Sequence, residues 1–357
     1  MKMAFYAPLK PPDDPVPSGD RTMARAIIAA FEHAGAQVDL TSRLRSRDGV
    51  GDGDAQARIM RQADAEQARL ITAGQHAGWL AWVTYHSYYK APDLLGPRVA
   101  QALNIPYLQI EATRARKRLT GPWARYAQAA EDACDAAAVI FYLTHQDGEA
   151  LHRDAPRGQH LIHLPPFLAR DDLPLIAGDG PMLSVGMMRA ADKLASYQII
   201  AETLALLPDT PWHLNIVGDG PARPQVEHLL APFGDAVTFL GQLDQTGLTQ
   251  AYQTSGLLFW PGVNEAFGLA YLEAQAHGLP VIAQDRPGVR DVLAPGSYPT
   301  PEQGAQGLAA QISTLLSAPE TRRLAGANAR SHIAKHHLLP AAAKTLIAGL
   351  ETVGVAT

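Results

Sequence analysis

The sequence predicts an α/β protein with two doubly wound parallel sheets, one in each half of the chain. Two observations lead to this prediction. Short apolar stretches of strand composition alternate with longer segments of helical spacing, which is the pattern of a parallel sheet whose strands are connected by helices. The chain has 357 residues, more than the roughly 250 to 300 residues at which single hydrophobic cores stop growing. We therefore expect two domains.

The amino-terminal half alternates between the two kinds of segment. Apolar residues at helical spacing predict helices within residues 21–35, 58–69 and 96–104. Strand-like runs occupy residues 2–8, 36–40, 105–111 and 136–144, and a further strand is expected from either RLITAG (69–74) or WLAWVTYH (79–86).

The segment 144–182 is rich in His, Pro, Asp and Gly, which favours an interdomain connection. A second alternating series starts at Met182, and residues 340–354 have helical composition. These features predict a first domain over 1–165, a second over 166–340, and a final helical segment over 341–357.

The composition is that of a globular protein, with 47% hydrophobic and 18% charged residues. No apolar run reaches the roughly 18 residues of a membrane span, and the opening MKMAFYAP is too short for a signal peptide. Cys134 is the single cysteine, which favours a reducing compartment over a disulfide framework. The expected location is the cytoplasm.

The densest motif spans residues 261–285, where a loop, a helix and a strand follow the apolar run GLLFW (256–260) and form a βαβ unit with it. With a helix from Phe267 to His277, Glu265 lies in the loop and Glu273 about two turns into the helix, roughly 9 Å farther along. The amides of Phe267, Gly268 and Leu269 would then point out of the helix N-terminus, where they favour a phosphate. Gly268 would let the ligand approach, and the two carboxylates would accept hydrogen bonds from hydroxyl groups. The alternative is an ordinary helix start with solvated glutamates.

The stretch NEAFGLAYLEAQAHGLPVIA (264–283) resembles the E-x7-E signature of glycosyltransferase family 4. Members of that family are retaining nucleotide-sugar enzymes with the GT-B fold. Residues 183–208, 214–221 and 237–243 also resemble the family, in its usual order. The resemblance implies two Rossmann-like domains facing across a cleft, with the acceptor on the first and the nucleotide sugar on the second. It also implies that the final helix packs back on the first domain.

The resemblance implies a role for each residue of the donor site. Glu265 would hold the donor sugar and Glu273 the ribose. Arg189 and Lys193, four residues apart and facing one side of a helical turn, would neutralise the diphosphate. The position directly after Gly186, where the family has arginine, is Met187 here.

Two further loops would complete the nucleotide site. Gly218 and Gly220 would keep the sheet edge open for the nucleotide. The backbone of Leu240, Gly241 and Gln242 would meet the base.

Candidate residues in the amino half rest on their place in the strand order. His86 follows a predicted strand and resembles the family histidine near the donor sugar, although a lone histidine is more often structural. Glu111, at another strand exit, is expected to contact the acceptor or the base. Ser18 and Gly19 in the first loop are candidates to admit the acceptor or its phosphate.

A basic stretch with interleaved aromatic residues lies at 111–131 and contains Arg114, Arg116, Lys117, Arg118 and Arg125 with Leu119, Trp123 and Tyr126. Such a stretch can lie on an anionic membrane surface. The alternatives are a solvated helix face and a loop over a phosphate. Residues 1–165 hold 19 Lys and Arg against 18 Asp and Glu, so nucleic-acid binding is not expected.

No metal or cofactor is predicted. Asp52 and Asp54 form a D-x-D sequence, but it lies in a polar loop without a preceding strand, so solvated loop acids are the simpler interpretation. His336 and His337 lack nearby carboxylates or cysteines in the sequence.

The resulting hypothesis is a metal-independent retaining glycosyltransferase that moves a sugar from a nucleotide diphosphate sugar to a hydroxyl of a lipid or glycan. UDP-sugars are favoured by family frequency alone, and the basic stretch favours a lipid acceptor and peripheral membrane contact. The alternatives are a GT-B protein that only binds a nucleotide sugar, and a phosphorylase of the same fold.

Overall fold

The computed structural model describes residues 1–16, 18–176, 178–208 and 211–356. They form two compact units, Met1–Pro165 with Leu339–Thr357, and Pro166–Leu338. Thr357, the last residue of the predicted final segment, lies outside the described residues, as does Ala177 in the predicted connection.

The strands in chain order are β1 (Lys2–Tyr6), β2 (Gln37–Ser42), β3 (Ala81–Ser87), β4 (Tyr107–Ala112), β5 (Val139–Tyr142), β6 (His160–His163), β7 (Met182–Val185), β8 (Leu214–Val217), β9 (Val237–Gly241), β10 (Leu257–Phe259) and β11 (Val281–Ile282). The α-helices are α1 (Gly19–His33), α2 (Gly53–Ala77), α3 (Gly96–Leu103), α4 (Ala124–Ala136), α5 (His145–Asp154), α6 (Asp192–Leu204), α7 (Arg223–Leu230), α8 (Gln245–Gln253), α9 (Leu269–Ala276), α10 (Gly304–Ser317), α11 (Pro319–His336) and α12 (Leu339–Glu351).

The first unit contains a six-stranded sheet in the order β2-β1-β3-β4-β5-β6, with every neighbouring pair parallel. Its central strands are almost entirely buried, which is expected when helices cover both faces of a parallel sheet. Tyr85 of β3 pairs with Ile110 of β4, and Ser87 pairs with Ala112. This register sets His86 beside Glu111 at the carboxyl ends of two adjacent strands.

The structure decides between the two candidates for one strand and corrects the extent of the predicted connection. WLAWVTYH (79–86) supplies β3. RLITAG (69–74) lies in α2, because Ala63, Gln67 and Leu70 recur at helical spacing and are buried together on one face. The segment 144–182 is not entirely a connection, since its first part forms α5 and β6. The edge strand β6 is only partly buried and lacks the apolar run of an inner strand.

The final helix α12 belongs to the first unit and packs against α1. Its apolar face buries Leu346 and Leu350. A Cβ atom added at Gly349 would lie 2.2 Å from the Phe141 ring, so the glycine lets α12 lie directly over β5. The helix is therefore part of the first hydrophobic core.

The second unit contains a five-stranded sheet in the order β11-β10-β7-β8-β9, again with all pairs parallel. Because the strands are parallel, the loops that follow β7, β8, β9 and β10 leave the sheet at one edge. This edge is the usual place for a ligand in an open α/β sheet.

Candidate functional site

Glycines let the loops after β7 and β8 pack backbone against backbone. A Cβ atom at Gly218 would lie 1.9 Å from the Gly186 carbonyl oxygen, and one at Gly220 would lie 2.3 Å from the Met188 carbonyl oxygen. Their φ angles of 140° and 152° also suit glycine. The absence of a side chain at Gly218 and Gly220 therefore lets the loop after β8 lie directly against the loop after β7.

The loop after β10 brings together a carboxylate, a lysine and an indole, which we call the Glu265 cluster (Lys193, Trp260 and Glu265). Trp260 Nε1 donates a hydrogen bond of 2.9 Å to Glu265 Oε1, and Lys193 Nζ donates to the same oxygen. The Lys193 ammonium lies 5.4 Å from the centre of the Trp260 ring. One carboxylate oxygen is therefore fixed by two donors, and the other accepts no hydrogen bond from the described residues.

Trp260 is a site residue that sequence reasoning missed. It is 2% exposed and packs edge-on against Tyr197, with ring centroids 5.2 Å apart. The signal was a tryptophan directly after a buried strand and five residues before Glu265, which places it where the strand enters the loop. Its indole donates a hydrogen bond to Glu265, and Lys193 of α6 donates to the same carboxylate oxygen.

The helix after this loop begins two residues later than predicted, at Leu269. Gly268 is its N-cap, with φ 80°, and a Cβ atom there would lie 2.7 Å from the Tyr271 ring. The amides of Leu269 and Ala270 are thus in the first turn, where no carbonyl one turn earlier can accept from them. The Phe267 amide precedes the helix, and the Phe267 side chain is buried.

Glu273 lies in the second turn of α9 and is held by Tyr252 of α8. The Tyr252 hydroxyl donates a 2.9 Å hydrogen bond to Glu273 Oε2, and His277 stacks on the Tyr252 ring at 20° between planes. Burial raises the pKa of Glu273, and the hydrogen bond from Tyr252 offsets only part of that effect. Sequence reasoning missed Tyr252 because α8 lies about 20 residues away along the chain.

Arg189 and Lys193 do not share one helical turn. Helix α6 begins at Asp192, after Ala191 in an uncommon backbone conformation with φ 63°. Arg189 lies in the preceding loop, where it is exposed and takes part in no ion pair within the described residues. Met187, at the position where the family has arginine, is also exposed. Lys193 is therefore hydrogen-bonded to Glu265, whereas Arg189 is not part of the Glu265 cluster.

The exit of β9 lies beside the loop after β8. The Gly218 amide donates a 2.8 Å hydrogen bond to the Gly241 carbonyl oxygen. Leu240 and Gln242, on either side of Gly241, have exposed side chains. The predicted base-contacting backbone is thus at the same sheet edge as the Glu265 cluster.

The first unit holds a separate group, the His86 cluster (Asp20, His86 and Glu111). His86 and Glu111 end adjacent strands with φ angles of 60° and 58°, which are uncommon for residues other than glycine. His86 Nδ1 lies 3.0 Å from Asp20 Oδ1 and 3.7 Å from Glu111 Oε1, without a linear hydrogen bond to either. Glu111 Oε2 is buried and accepts no hydrogen bond from the residues that the structure describes.

The two carboxylates determine the charge of the imidazole. Burial acts to lower the pKa of His86, but the negative charges of Glu111 and Asp20 outweigh it and raise the pKa to about 9. Burial raises the pKa of Glu111, and His86 opposes that effect. Burial also acts to raise the pKa of Asp20, but the contact with His86 outweighs it and holds that pKa below its usual range. The cluster at neutral pH therefore contains an imidazolium between the half-buried Asp20 and the buried Glu111.

The residues predicted in the first loop form the start of α1. Ser18 is the N-cap, and its hydroxyl accepts a 3.2 Å hydrogen bond from the Arg21 amide. Gly19 is the first helical residue, and no atom lies within 4 Å of a Cβ added there. The next residue is Asp20, which sequence reasoning missed. Its position in the first helical turn brings its carboxylate to His86.

The basic stretch 111–131 is not one solvated face. Arg114 is buried and bound by Glu131 at 2.8 Å and Asp135 at 2.6 Å, and Tyr126 is fully buried. Arg116 lies 3.3 Å from Asp154. Two of the five basic residues of this stretch are therefore paired with acidic groups of the same unit.

The D-x-D sequence serves the start of α2. Asp52 is the N-cap, and its Oδ1 accepts hydrogen bonds from the Asp54 and Ala55 amides at 3.0 and 3.1 Å. In the part of the chain that the structure describes, no group of three or more His, Cys, Asp or Glu side chains is arranged to hold a metal ion. None of the described helices is both long and apolar enough to cross a bilayer.

Residues 183–332 match the family model of the glycosyl transferases group 1. The chain is 26% identical to the alpha-D-kanosaminyltransferase of Streptomyces kanamyceticus over 301 residues, which are 76% of this chain and 74% of that protein. It spans less than half the length of two further curated transferases that it matches.

Solved structures share the fold over nearly the whole chain. The sucrose-phosphate synthase of Thermosynechococcus elongatus superposes with a TM-score of 0.73 at 18% identity, covering 99% of this chain and 98% of that one. The Anabaena protein Alr3699/HepE, solved in complex with UDP, superposes with a TM-score of 0.72 at 16% identity and covers 99% and 100%.

Two parallel-sheet α/β units of this kind are the GT-B fold of glycosyltransferases. The chain is a transferase enzyme, and its residues 183–332 match the model of the glycosyl transferases group 1.

Proposed function

We propose that the protein transfers a sugar, with retention of anomeric configuration, from a nucleotide diphosphate sugar to a hydroxyl of a glycan or lipid acceptor, without a metal ion. The observation that carries this proposal is the pair Glu265 and Glu273 on one loop and helix. Each glutamate has one oxygen held by protein donors and the other without a hydrogen bond among the described residues.

The two glutamates suit two different parts of one donor. Glu273, held by Tyr252 and partly buried, is placed to accept hydrogen bonds from the vicinal hydroxyls of a ribose. Glu265, 13% exposed, is placed to accept from hydroxyls of the transferred sugar. The first-turn amides of α9 lie between them and favour the diphosphate.

Lys193 supplies the positive charge for departure of the diphosphate. The bond between the anomeric carbon and the diphosphate oxygen breaks, the acceptor oxygen bonds to the same carbon, and the acceptor proton leaves on the diphosphate. Charge that develops on the leaving oxygen is stabilised by a fixed cation and backbone dipoles, usually the largest catalytic contribution. Lys193 is shared with Glu265 before the donor binds, so donor binding would redirect the ammonium to the phosphate. Arg189, exposed nearby, would assist.

UDP is the favoured nucleotide. A protein of the same fold was solved with UDP and with UDP-glucose, and UDP-sugars are common donors in the family that the sequence resembles. His86 would contact the donor sugar or the acceptor, with Glu111 and the start of α1 at Ser18 and Gly19 on the acceptor.

Nucleotide binding tests the donor site. Calorimetric titration with UDP, GDP, ADP and dTDP identifies the base, and the variants Glu273→Gln, Glu265→Gln and Glu202→Gln follow. Glu202 is exposed on α6, away from the cluster, and serves as the matched control. Glu273→Gln is expected to weaken binding of the preferred nucleotide about tenfold to a hundredfold, by loss of charge-assisted hydrogen bonds.

The rate of turnover tests the role of Glu265 separately from nucleotide binding. Glu265→Gln is expected to keep the affinity for UDP while slowing release of UDP from the nucleotide sugar, and EDTA is expected to leave the rate unchanged. Full binding and full turnover in both glutamate variants would refute the assignment. A rate lost in EDTA and restored by Mg²⁺ or Mn²⁺ would refute metal independence.

A further inference from the structure

Two cations in the first unit share one pair of aromatic rings, in what we call the cation–aromatic cluster (Tyr88, Tyr89, Lys90, Arg118 and Trp123). The rings of Tyr89 and Trp123 meet edge to face, with centroids 5.8 Å apart. The Lys90 ammonium lies 5.7 Å from the first ring and 5.3 Å from the second. The Arg118 guanidinium lies 5.2 and 5.6 Å from the same rings.

Neighbouring loops hold this cluster in place. The tight turn from Tyr88 to Ala91 is closed by backbone hydrogen bonds in both directions, at 3.3 and 2.9 Å. The Lys90 carbonyl oxygen accepts a 2.8 Å hydrogen bond from the Asp48 amide, and the Asp48 carbonyl oxygen accepts one of 3.3 Å from the Trp123 indole. Gln56 then ties the Asp48 carboxylate to the Pro122 carbonyl oxygen at 2.7 and 3.0 Å. The rings and cations are thus built on a cross-linked scaffold.

The two cations lack counter-charges. Among the described residues, neither Lys90 nor Arg118 lies within ion-pair distance of a carboxylate, and Arg118 Nε is buried without a hydrogen-bond partner. Their neighbours Arg114 and Arg116 are both paired with acidic groups. Aromatic rings alone hold two positive charges close together, which favours an anion as the missing partner.

A continuous line of rings leads from these cations to His86. The His86 ring lies 5.2 Å from Tyr88, and Tyr88 lies 5.6 Å from Tyr89. Apolar ring faces and edges of this kind suit the C–H faces of a sugar. Burial raises the pKa of the Tyr88 hydroxyl, and the Arg47 guanidinium beside it opposes that effect. Arg47 therefore adds positive charge along the same line.

We propose that the cation–aromatic cluster binds the anionic group of a phosphorylated or carboxylated saccharide acceptor, whose sugar ring extends along Tyr88 toward His86. This assignment rests on the proposed transferase function, and it narrows the acceptor class. An anionic membrane fits less well. Trp123 and Leu119 are partly buried, Tyr126 is fully buried, and no large apolar side chain of the described residues 116–126 is exposed enough to enter a bilayer.

A binding panel tests the proposal without the donor. Neutral hexoses and inositols are compared with their monophosphates and with hexuronic acids, by calorimetry and thermal shift. The variants are Lys90→Met and Arg118→Met, with Lys117→Met as matched control, because Lys117 is an exposed neighbour of Arg118 outside the cluster. At least one anionic saccharide is expected to bind ten times more tightly than its neutral counterpart. Each cluster variant is expected to weaken that binding about tenfold or more, with Lys117→Met unchanged.

Two further measurements distinguish a lost saccharide site from an unfolded turn and from a damaged donor site. Lys90→Arg keeps the charge, and its recovery of binding would show that Lys90→Met did not merely unfold the turn. UDP affinity, measured on the same samples, reports on the donor site alone, so normal UDP binding without any anionic preference would overturn this proposal and leave the proposed function standing. If UDP does not bind but the saccharide response is normal, the proposed function is overturned and the saccharide site stands. The proposal is also overturned if vesicles of anionic lipid bind the wild type, the cluster variants abolish that binding, and no saccharide binds.

Discussion

Replacing His86 with glutamine isolates the stability that the protonated imidazole draws from Asp20 and Glu111. Asp20 faces the ring from α1 and Glu111 from β4, with Tyr85 and Tyr88 alongside. The pKa of His86 is about 9 in the folded chain and about 6.5 when unfolded. Because folding raises this pKa, its stabilising contribution is complete below about pH 6.5 and is lost as the pH rises through about 9.

The magnitude follows from the gap between the two pKa values. A pKa difference of about 2.5 corresponds to about 3 kcal/mol at low pH, most of which disappears between pH 7 and pH 10. The imidazole side chain is 20% exposed, so water screens part of the interaction and these figures are upper values. Asp20→Asn removes the closer carboxylate, and the His86 pKa is then expected to fall.

The assay is urea unfolding of wild type, His86→Gln and Asp20→Asn at a series of pH values, with NMR titration of the imidazole signals. His76→Gln is the control, because His76 is exposed in the last turn of α2. The difference in unfolding free energy between wild type and His86→Gln is expected to shrink toward pH 10. A His86 signal that is already neutral at pH 7.5, or a difference that stays constant with pH, would refute the reasoning.

Three further predictions concern the donor side and the cores. Protonation of Glu273 removes a hydrogen-bond acceptor for the nucleotide. UDP affinity is therefore expected to fall as the pH decreases through the raised pKa of Glu273, in calorimetric titrations from pH 8 to pH 5. An affinity that does not change with pH would count against a role of Glu273 in nucleotide binding. Gly218→Ala places a Cβ 1.9 Å from the Gly186 carbonyl oxygen. It is expected to lower the free energy of unfolding in urea by about 3 kcal/mol or more. The control Gly19→Ala, where no atom lies within 4 Å of the added Cβ, is expected to change that free energy by less than about 1 kcal/mol. Arg114→Met leaves the carboxylates of Glu131 and Asp135 without their cation and is expected to lower the free energy of unfolding by about 3 to 5 kcal/mol. The exposed Arg116→Met is expected to lower it by about 1 kcal/mol or less. Equal losses in the two variants would contradict the burial argument.

The sequence was sufficient for relations within one segment. Glu265 and Glu273 could be placed on one loop and helix because only seven residues separate them. The parallel α/β class followed from alternation along the chain. The sheet orders, in contrast, depend on which strands pair, and the spacing of elements along the chain does not specify that.

Contacts between distant segments account for the site geometry that the sequence did not reveal. Lys193 reaches Glu265 across 72 positions, and Tyr252 reaches Glu273 across 21. Asp20 meets His86 because α1 starts beside the end of β3. Each of these pairs joins elements that the sheet brings together, so no local pattern marks them. The start of α9 was misplaced for another reason, since Gly268 can cap a helix or continue it, and only the contact with Tyr271 decides.

The backbone at His86 and Glu111 bears on how this enzyme can be engineered. Both residues adopt left-handed conformations that glycine accepts at little cost, and such strain is of the order of 1 kcal/mol or more per residue. At alkaline pH, where the imidazole is neutral and its charge contribution is lost, directed evolution that selects only for heat resistance is therefore expected to enrich glycine or asparagine at these two positions, at the expense of turnover. Selections that require sugar transfer should retain histidine and glutamate. The contrast between the two libraries would show at which positions this fold accepts lower stability for the sake of activity.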